Sequence, residues 1–349
     1  MCGIAGVVGK IEQRVISKML SIQKHRGPDN TSIWLDTDIQ LGHNRLSIID
    51  LSEDANQPFE NEHYVLVFNG EIYNYLEIRA ELKNYIFKTN SDTEVLLAAY
   101  QKWGKDCLQK LNGMFAFAIW NKTSKTLFAA RDRFGVKPFY YAIKNNVFYF
   151  ASEIKTLFEA GIKQKPNKKI WANYFAHGSY GLPNETFWTE IHQLPGSHCL
   201  IFEKGNLEIK KWYYFEKEVK KYLKKDLSYN ESKEIYTNLL KDSIKLRFRA
   251  DVAVGFNVSG GVDSSILLAL VNEEENSKDI KAFTFYTNDD RYDELPWVEE
   301  MITITNNPLE KVLLSSDEIS KLSKKISFHQ DDPFGGIPTL AYAKIFERA

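Results

Sequence analysis

Short apolar runs bounded by turn formers recur along residues 1–205: IAGVV, SIWL, QLGHNRLSI, YVLVFNGEI, MFAFAIW, TLFAAR, PFYYAI and VFYFAS. Their β-branched and aromatic content and their length predict strands. Two stretches switch to a helical period, NYLEIRAELKNY behind Asn74 and SDTEVLLAAYQKWGKDCLQKL behind Ser91. In the second, Glu94 stands three residues after Ser91, which predicts a capping box. Many strands in hairpin-like succession with helices between them predict a layered α+β domain of mainly antiparallel sheets. Phe115, Phe117 and Trp120 read as its core.

The pattern changes at 206–230. This stretch is lysine-rich and weakly periodic, with acids balancing the bases, and reads as a solvated connecting arm. Beyond it come a helix, ESKEIYTNLLKDSIKLRFRA, an apolar run, VAVGFNV, then SGGVDSS, the helix SILLALVNEE and a second apolar run, KAFTFYT. Strand, glycine turn, helix, strand is the βαβ unit of a parallel sheet. The expected division is 2–205, an arm at 206–230, and 231–349. No internal repeat or low-complexity tract stands out.

Composition narrows the class. With 349 residues, 44% hydrophobic and 26% charged, the chain can bury real cores. A net charge of −1 gives nucleic acid no electrostatic purchase. Cys2, Cys107 and Cys199 are odd in number and too far apart for zinc pairs, which suits a reducing cytoplasm. No apolar stretch approaches the roughly 20 residues of a membrane span.

SGGVDSS follows a buried strand and opens a helix, where free N–H groups and the helix dipole favour an anion. Gly260 and Gly261 let backbone approach phosphate oxygens, and Ser259, Ser264 and Ser265 add hydroxyls. Asp263 would repel phosphate unless a cation lay between them, which points to Mg²⁺. A Gly-Gly turn with Ser and Asp capping a helix would look alike. The loop is not a Walker A motif. It resembles the pyrophosphate loop of the ATP-pyrophosphatase synthetases.

Cys2 poses the sharpest question. Removal of Met1 would leave a thiol and a free α-amine on one residue. An α-amine titrates near 7.7–8.0, so about a fifth of it is a free base at neutral pH. It could serve its own thiol as base. A chance position for one of three cysteines is the plain alternative.

RGPD (26–29), GHNRLSIID (42–50), FNGEIYN (68–74), SDTEV (91–95), LNGMFAFAIW (111–120) and RDRFGVKPFYY (131–141) together resemble the glutaminase domain of asparagine synthetase. With SGGVDSS behind them, the whole chain resembles the glutamine-hydrolysing asparagine synthetase family. The resemblance implies a four-layer αββα N-terminal nucleophile hydrolase fold, followed by a partial α/β ATP-pyrophosphatase domain with a parallel sheet. It implies that Cys2 attacks glutamine, with Asn69 and Gly70 as the oxyanion hole. Arg45 would hold the substrate α-carboxylate and Asp92 its α-ammonium. Glu71 would sit on the rim, and Leu46, Ser47, Ile48 and Ile49 would supply backbone contacts. Val258 and Phe285 would meet adenine; Ser259, Gly260, Gly261, Asp263 and Ser264 would hold pyrophosphate, with Asp263 on Mg²⁺. RYDELPW matches a segment near the nucleotide, and DDPFGG one that lines the cleft. Glutamine, aspartate and ATP are the implied substrates, the two sites would be joined by an internal passage, and a homodimer is compatible. Taken singly, Asp92 is equally a helix cap, Arg45 a surface ion pair, and Asn69-Gly70 a hairpin turn. Arg26 and Asp29 are expected to shape the pocket loop, and the histidines to be structural.

Family members continue well beyond position 349, through a second glycine- and acid-rich segment of the ATP site. The expectation is therefore a truncated or split chain, or a fragment, with a complete glutaminase half. Two alternatives stand beside synthesis of asparagine. One is amidation of another carboxylate, such as an acid on a surface sugar. The other is a fragment with glutaminase activity only, or with a non-catalytic binding role.

Overall fold

Alternation along a strand sends side chains to both faces of a sheet, and in the inner strands of the first half of this protein both faces are buried. The structure, a computed structural model, describes residues 1–10, 15–223, 226–275 and 280–349. It divides into two compact units, Met1–Lys225 and Asp226–Ala349.

The first unit opens with β1 (Gly3–Val8), α1 (Ile16–Ile22), β2 (Asn30–Asp36) and β3 (Ile39–Arg45). Next come β4 (Phe59–Glu60), β5 (Tyr64–Ile72), α2 (Tyr75–Glu81) and α3 (Asp92–Trp103). A run of four strands follows: β6 (Gly113–Asn121), β7 (Thr126–Arg131), β8 (Tyr140–Lys144) and β9 (Val147–Ala151). Then come α4 (Ile154–Glu159), α5 (Lys168–His177), β10 (His192–Gln193), β11 (His198–Glu203), β12 (Asn206–Lys211) and α6 (Phe215–Tyr222). Two six-stranded sheets result, ordered β10-β8-β9-β1-β3-β2 and β12-β11-β7-β6-β5-β4. Every pairing in them is antiparallel.

Ile4, Leu41 and Phe150 of one sheet meet Val67, Ala118 and Trp120 of the other in a shared core. The outer face of the first sheet buries Ala5, Val7 and Tyr149 against Met19 and Leu20 of α1 and Leu157 of α4. The outer face of the second buries Phe68, Phe115 and Phe117 against Ile78 of α2 and Val95 to Ala99 of α3. Helix, sheet, sheet, helix is the four-layer order expected, and Phe115, Phe117 and Trp120 are core.

Three local expectations need correction. Ser91 does cap α3, but its Oγ accepts from Thr93 N. Glu94 does not close the box: its carboxylate turns to Lys88 N, Thr89 N and the Thr89 hydroxyl, and so binds the preceding loop to the helix. The arm expected from 206 begins inside the sheet, because β12 pairs with β11 from Asn206 through Lys211. Lys224 and Lys225 of that arm lie outside the described residues. The run 252–258 forms a strand only at Phe256–Asn257, since 252–254 make no ladder bonds and stay largely exposed.

The second unit contains α7 (Tyr229–Arg247), β13 (Phe256–Asn257), α8 (Val262–Glu275), β14 (Ala282–Tyr286), α9 (Leu295–Thr305), β15 (Leu309–Leu313), α10 (Ile319–Gln330) and α11 (Ile337–Arg348). The three strands form a parallel sheet in the order β13-β14-β15. Leu268 of α8 and Val298 of α9 cover Val258 and Ala282 on one face. Ile345 of α11 covers Phe283 and Val312 on the other. Helices on both faces of a parallel sheet are the doubly wound plan. Among the described residues no helix is long and apolar enough to cross a membrane.

Candidate active site

Cys2 directly precedes β1, a strand in the middle of its sheet between β9 and β3, so the second residue is anchored where a terminus would ordinarily fray. The Arg26 Nε donates to the Cys2 carbonyl at 2.9 Å, and Arg26 is itself held by Glu153 at 3.1 Å. His25 and Lys155 meet the same carboxylate at 2.9 and 2.7 Å. The hydrogen bond to His25 and the charges of Lys155 and Arg26 hold the Glu153 carboxyl down to about 2 despite its burial. The Cys2 thiol is bracketed by one backbone residue, with Leu46 N donating to Sγ at 3.4 Å and the thiol facing Leu46 O at 3.5 Å. Burial pushes this thiol up from its ordinary value.

A cavity of about 340 Å³ opens in front of the sulfur, lined by Cys2, Arg45, Leu46, Asn69, Gly70 and Asp92 among others. Its volume matches small-ligand sites, which run from roughly 300 Å³. Asn69 is 1% exposed, and neither oxygen nor nitrogen of its amide has a partner among the described residues. A buried amide normally finds a partner; this one faces a cavity instead. Gly70 pairs with Phe115 on β6, and a Cβ there would stand 2.2 Å from the Met114 carbonyl oxygen. Only glycine allows the strand to bring that backbone so close.

Arg45 reaches the cavity from the end of β3. Its Nη1 donates to Ser52 O at 2.6 Å and Asn56 Oδ1 at 2.8 Å, and its Nη2 to Asp50 O. Among the described residues, two of its five N–H hydrogens, on Nε and Nη2, have no hydrogen-bond partner. Asp92 accepts from Ile72 N at 2.9 Å and more weakly from Ser91 Oγ at 3.4 Å. It is 4% exposed, and burial, with the Glu71 charge nearby, pushes its carboxyl up to about 7.

Glu71, Ile48 and Ile49 line the cavity. Ser47 does not: its amide donates to Asp29 Oδ2 at 2.7 Å, so Asp29 ties down the loop while its neighbours face the ligand space. Arg26 and Asp29 thus shape the site, as expected. His43 is buried against Phe68 O and held down to about 3, far from any acid–base role near neutral pH. Three residues were missed. Gln57 braces Phe68 N at 2.6 Å and Thr93 Oγ1 at 3.2 Å. Lys137 lies in the quoted motif RDRFGVKPFYY yet carries no sequence mark that sets it apart. Glu153 is separated from Arg26 by 127 positions, and no local spacing links them.

In the second unit, Val258, Ser259, Ser264 and Phe285 line a cavity of about 80 Å³ with Tyr292 and Glu294. That is well below the roughly 300 Å³ at which small-molecule pockets begin. Gly260, Gly261 and Asp263 are not among its lining. Ser264 Oγ donates to Ser259 O at 2.9 Å, Ser259 Oγ accepts from Gly261 N at 3.2 Å, and Gly260 N donates to Glu294 Oε2 at 2.9 Å. A carboxylate oxygen thus occupies one N–H of the expected phosphate cradle. Asp263 is exposed on the first turn of α8. Asp293 bonds Asn288 N and Leu295 N, and Asp332 is half-buried and pushed up to about 7 by desolvation and Asp331.

A four-layer sandwich with an anchored cysteine at its second residue, set in a cavity lined by an unpaired amide, defines an N-terminal nucleophile glutamine amidotransferase fold. A family model described as "Glutamine amidotransferase domain" matches residues 1–213, and one described as "Asparagine synthase" matches 236–348. A putative glutamine-hydrolysing asparagine synthetase 2 of Methanocaldococcus jannaschii is 36% identical, covering 97% of this chain and 70% of the relative. Asparagine synthetase 1 of Bacillus subtilis is also 36% identical, covering 99% of this chain and 55% of the relative. The chain belongs to the glutamine-hydrolysing asparagine synthetase family. It spans about half the length of most of the curated relatives it matches. Among solved structures, a glutamine PRPP amidotransferase from B. subtilis has a TM-score of 0.48 at 16% identity, covering 89% of this chain and 65% of that one.

Proposed function

We propose that the chain hydrolyses glutamine at Cys2 and supplies the ammonia for amidation of aspartate activated by ATP, giving asparagine, glutamate, AMP and pyrophosphate. The observation that carries the first half is the buried, unpaired Asn69 amide in the same cavity as the thiol. With Met1 removed, the Cys2 α-amine takes the thiol proton as sulfur bonds to the γ-amide carbon. The oxyanion that forms is met by Asn69 Nδ2 and the Gly70 N–H. Collapse expels nitrogen, which receives the proton from the α-ammonium and leaves as ammonia, and water then releases glutamate from the thioester. Preorganised donors of this kind contribute several kcal/mol to acyl transfer. The two spare Arg45 hydrogens suit the α-carboxylate and Asp92 the α-ammonium.

The ATP half rests on the family and on the glycine turn at the head of α8. In this reading Val258 and Phe285 meet the base, and Ser259, Gly260, Gly261 and Ser264 hold pyrophosphate. A phosphate oxygen and the Glu294 carboxylate cannot share the Gly260 N–H, so binding moves Glu294 aside. Mg²⁺ is held mostly by phosphates and one or two carboxylates, and exposed Asp263 fits that sparse demand. A homodimer in the cytoplasm, with no nucleic-acid or membrane partner, completes the reading. The test follows nitrogen: with [amide-¹⁵N]glutamine, aspartate and MgATP, label is expected in asparagine with AMP formed in step. Label found only in free ammonia would leave a glutaminase and remove the synthetase half.

Asp92 gives a pH prediction. Its carboxyl is raised by burial, so between about 4 and about 7 the folded state binds the extra proton, and stability falls as pH rises across that window. The substrate α-ammonium favours the ionised form. Glutamine affinity of the Cys2→Ala variant, measured by calorimetry, should therefore weaken by up to about tenfold per unit below pH 7 and level off above it. Asp92→Asn should bind weakly with no such slope; a slope that persists refutes the pairing.

A further inference from the structure

Lys137 is 3% exposed, and its ammonium has one hydrogen-bond partner among the described residues, the Met1 thioether sulfur at 2.8 Å. A thioether is a weak acceptor, and a buried charge without good partners is costly. The fold nevertheless fixes the residue firmly. The Asp132 carboxylate accepts from Lys137 N at 3.0 Å, Val136 N at 2.9 Å and Phe115 N at 3.1 Å, while Arg131 Nε donates to Lys137 O at 2.5 Å. The loop 132–137 is thereby wound round one carboxylate and fastened to β6 and β7. Lys137 lines the cavity together with Met1 and Cys2. That sulfur belongs to the residue whose removal creates the nucleophile's amine.

We propose that Lys137 is a positioning residue for the nucleophile: once Met1 is removed, its ammonium faces the new Cys2 amine and holds that amine in its neutral, proton-accepting form. This rests on the glutaminase reading above. The charged groups that act on the Met1 amine are the Cys2 thiol, Arg26 from the turn before β2, Lys137 and Glu71 from β5, and Asp92 from α3 acts on the thiol. Arg26 is committed to Glu153 and the Cys2 carbonyl, so of these two cations Lys137 is the one that lines the cavity. In the chain that begins at Met1, the terminal amine is already lowered to about 6, first by burial, with Arg26 and Lys137 adding to the effect.

The test uses the full chain with Met1 removal verified by mass. Glutamine kcat/KM and the rate of Cys2 alkylation by iodoacetamide are each followed from pH 5.5 to 9.5. Lys137→Met should move the acid limb of both profiles up by about one unit, a loss of about tenfold near pH 6.5 that closes by pH 9. Lys137→Arg should restore the original midpoint. A profile that superimposes on the parent, or a loss by one constant factor at every pH, overturns the assignment, as does failure of Lys137→Arg to restore the midpoint. Lys137→Gln serves if Lys137→Met does not accumulate folded. Alkylation needs no turnover, so a shifted alkylation profile without glutamate release keeps this assignment and removes the glutaminase.

Discussion

Cys2→Ala is expected to reduce glutamate release from glutamine by at least about 10⁴-fold, because losing a nucleophile removes the whole covalent route. No other thiol can take its place: Cys107 and Cys199 are buried in the core beneath α3, on the outer face of the second sheet. Ser91 and Thr93 line the cavity, but Ser91 caps α3 and Thr93 accepts from Gln57, so neither hydroxyl is aimed by a base. The alanine variant should keep its fold, since the sulfur contributes only two long contacts to Leu46. A coupled glutamate assay on processed protein, with the thermal midpoint measured alongside, checks this. Residual activity within tenfold of the parent would place the nucleophile elsewhere.

Asn69→Ala should lower kcat by about 10²–10³ with KM changed only a few-fold, as befits a donor used in the transition state rather than in binding. The expected stability effect separates this from a structural role. Removing one partner of a made hydrogen bond strands the other and costs about 1–3 kcal/mol. Among the described residues the Asn69 amide has no partner to strand. The midpoint of unfolding should therefore hold while turnover collapses. A parallel fall in stability and activity, or a rise in KM that accounts for the loss, would assign Asn69 to packing or to ground-state binding.

Much of this site could be read along the chain because its parts are short and local. Asn69-Gly70 end a strand whose alternation is plain, and Asp92 follows a capping serine at the start of a helix. The strands that carry them were legible for the same reason, as was the βαβ unit around SGGVDSS. Chain-local signals failed where a choice depended on a neighbour far away. Glu94 had the right spacing for a capping box, but the loop at 88–89 offered three donors and won its carboxylate. Lysine-rich 206–211 looked like a solvated arm, yet an unpaired edge at β11 took it into the sheet. Ser47 sits among cavity residues in sequence and turns away because Asp29 holds its amide.

By itself the sequence determined which chemistry was available: a cysteine at position 2, a strand ending in an amide and a glycine, an acid at a helix start, a glycine turn before another helix. Periodicity and turn chemistry act over a few residues, so they can be read without coordinates. Only the tertiary structure decided which charges meet. Glu153 gathers His25 and Arg26 across more than a hundred residues, with its near neighbour Lys155, and Lys137 is left buried with a thioether as its partner. Coulombic and desolvation energies depend on distance and burial in space, and chain separation encodes neither.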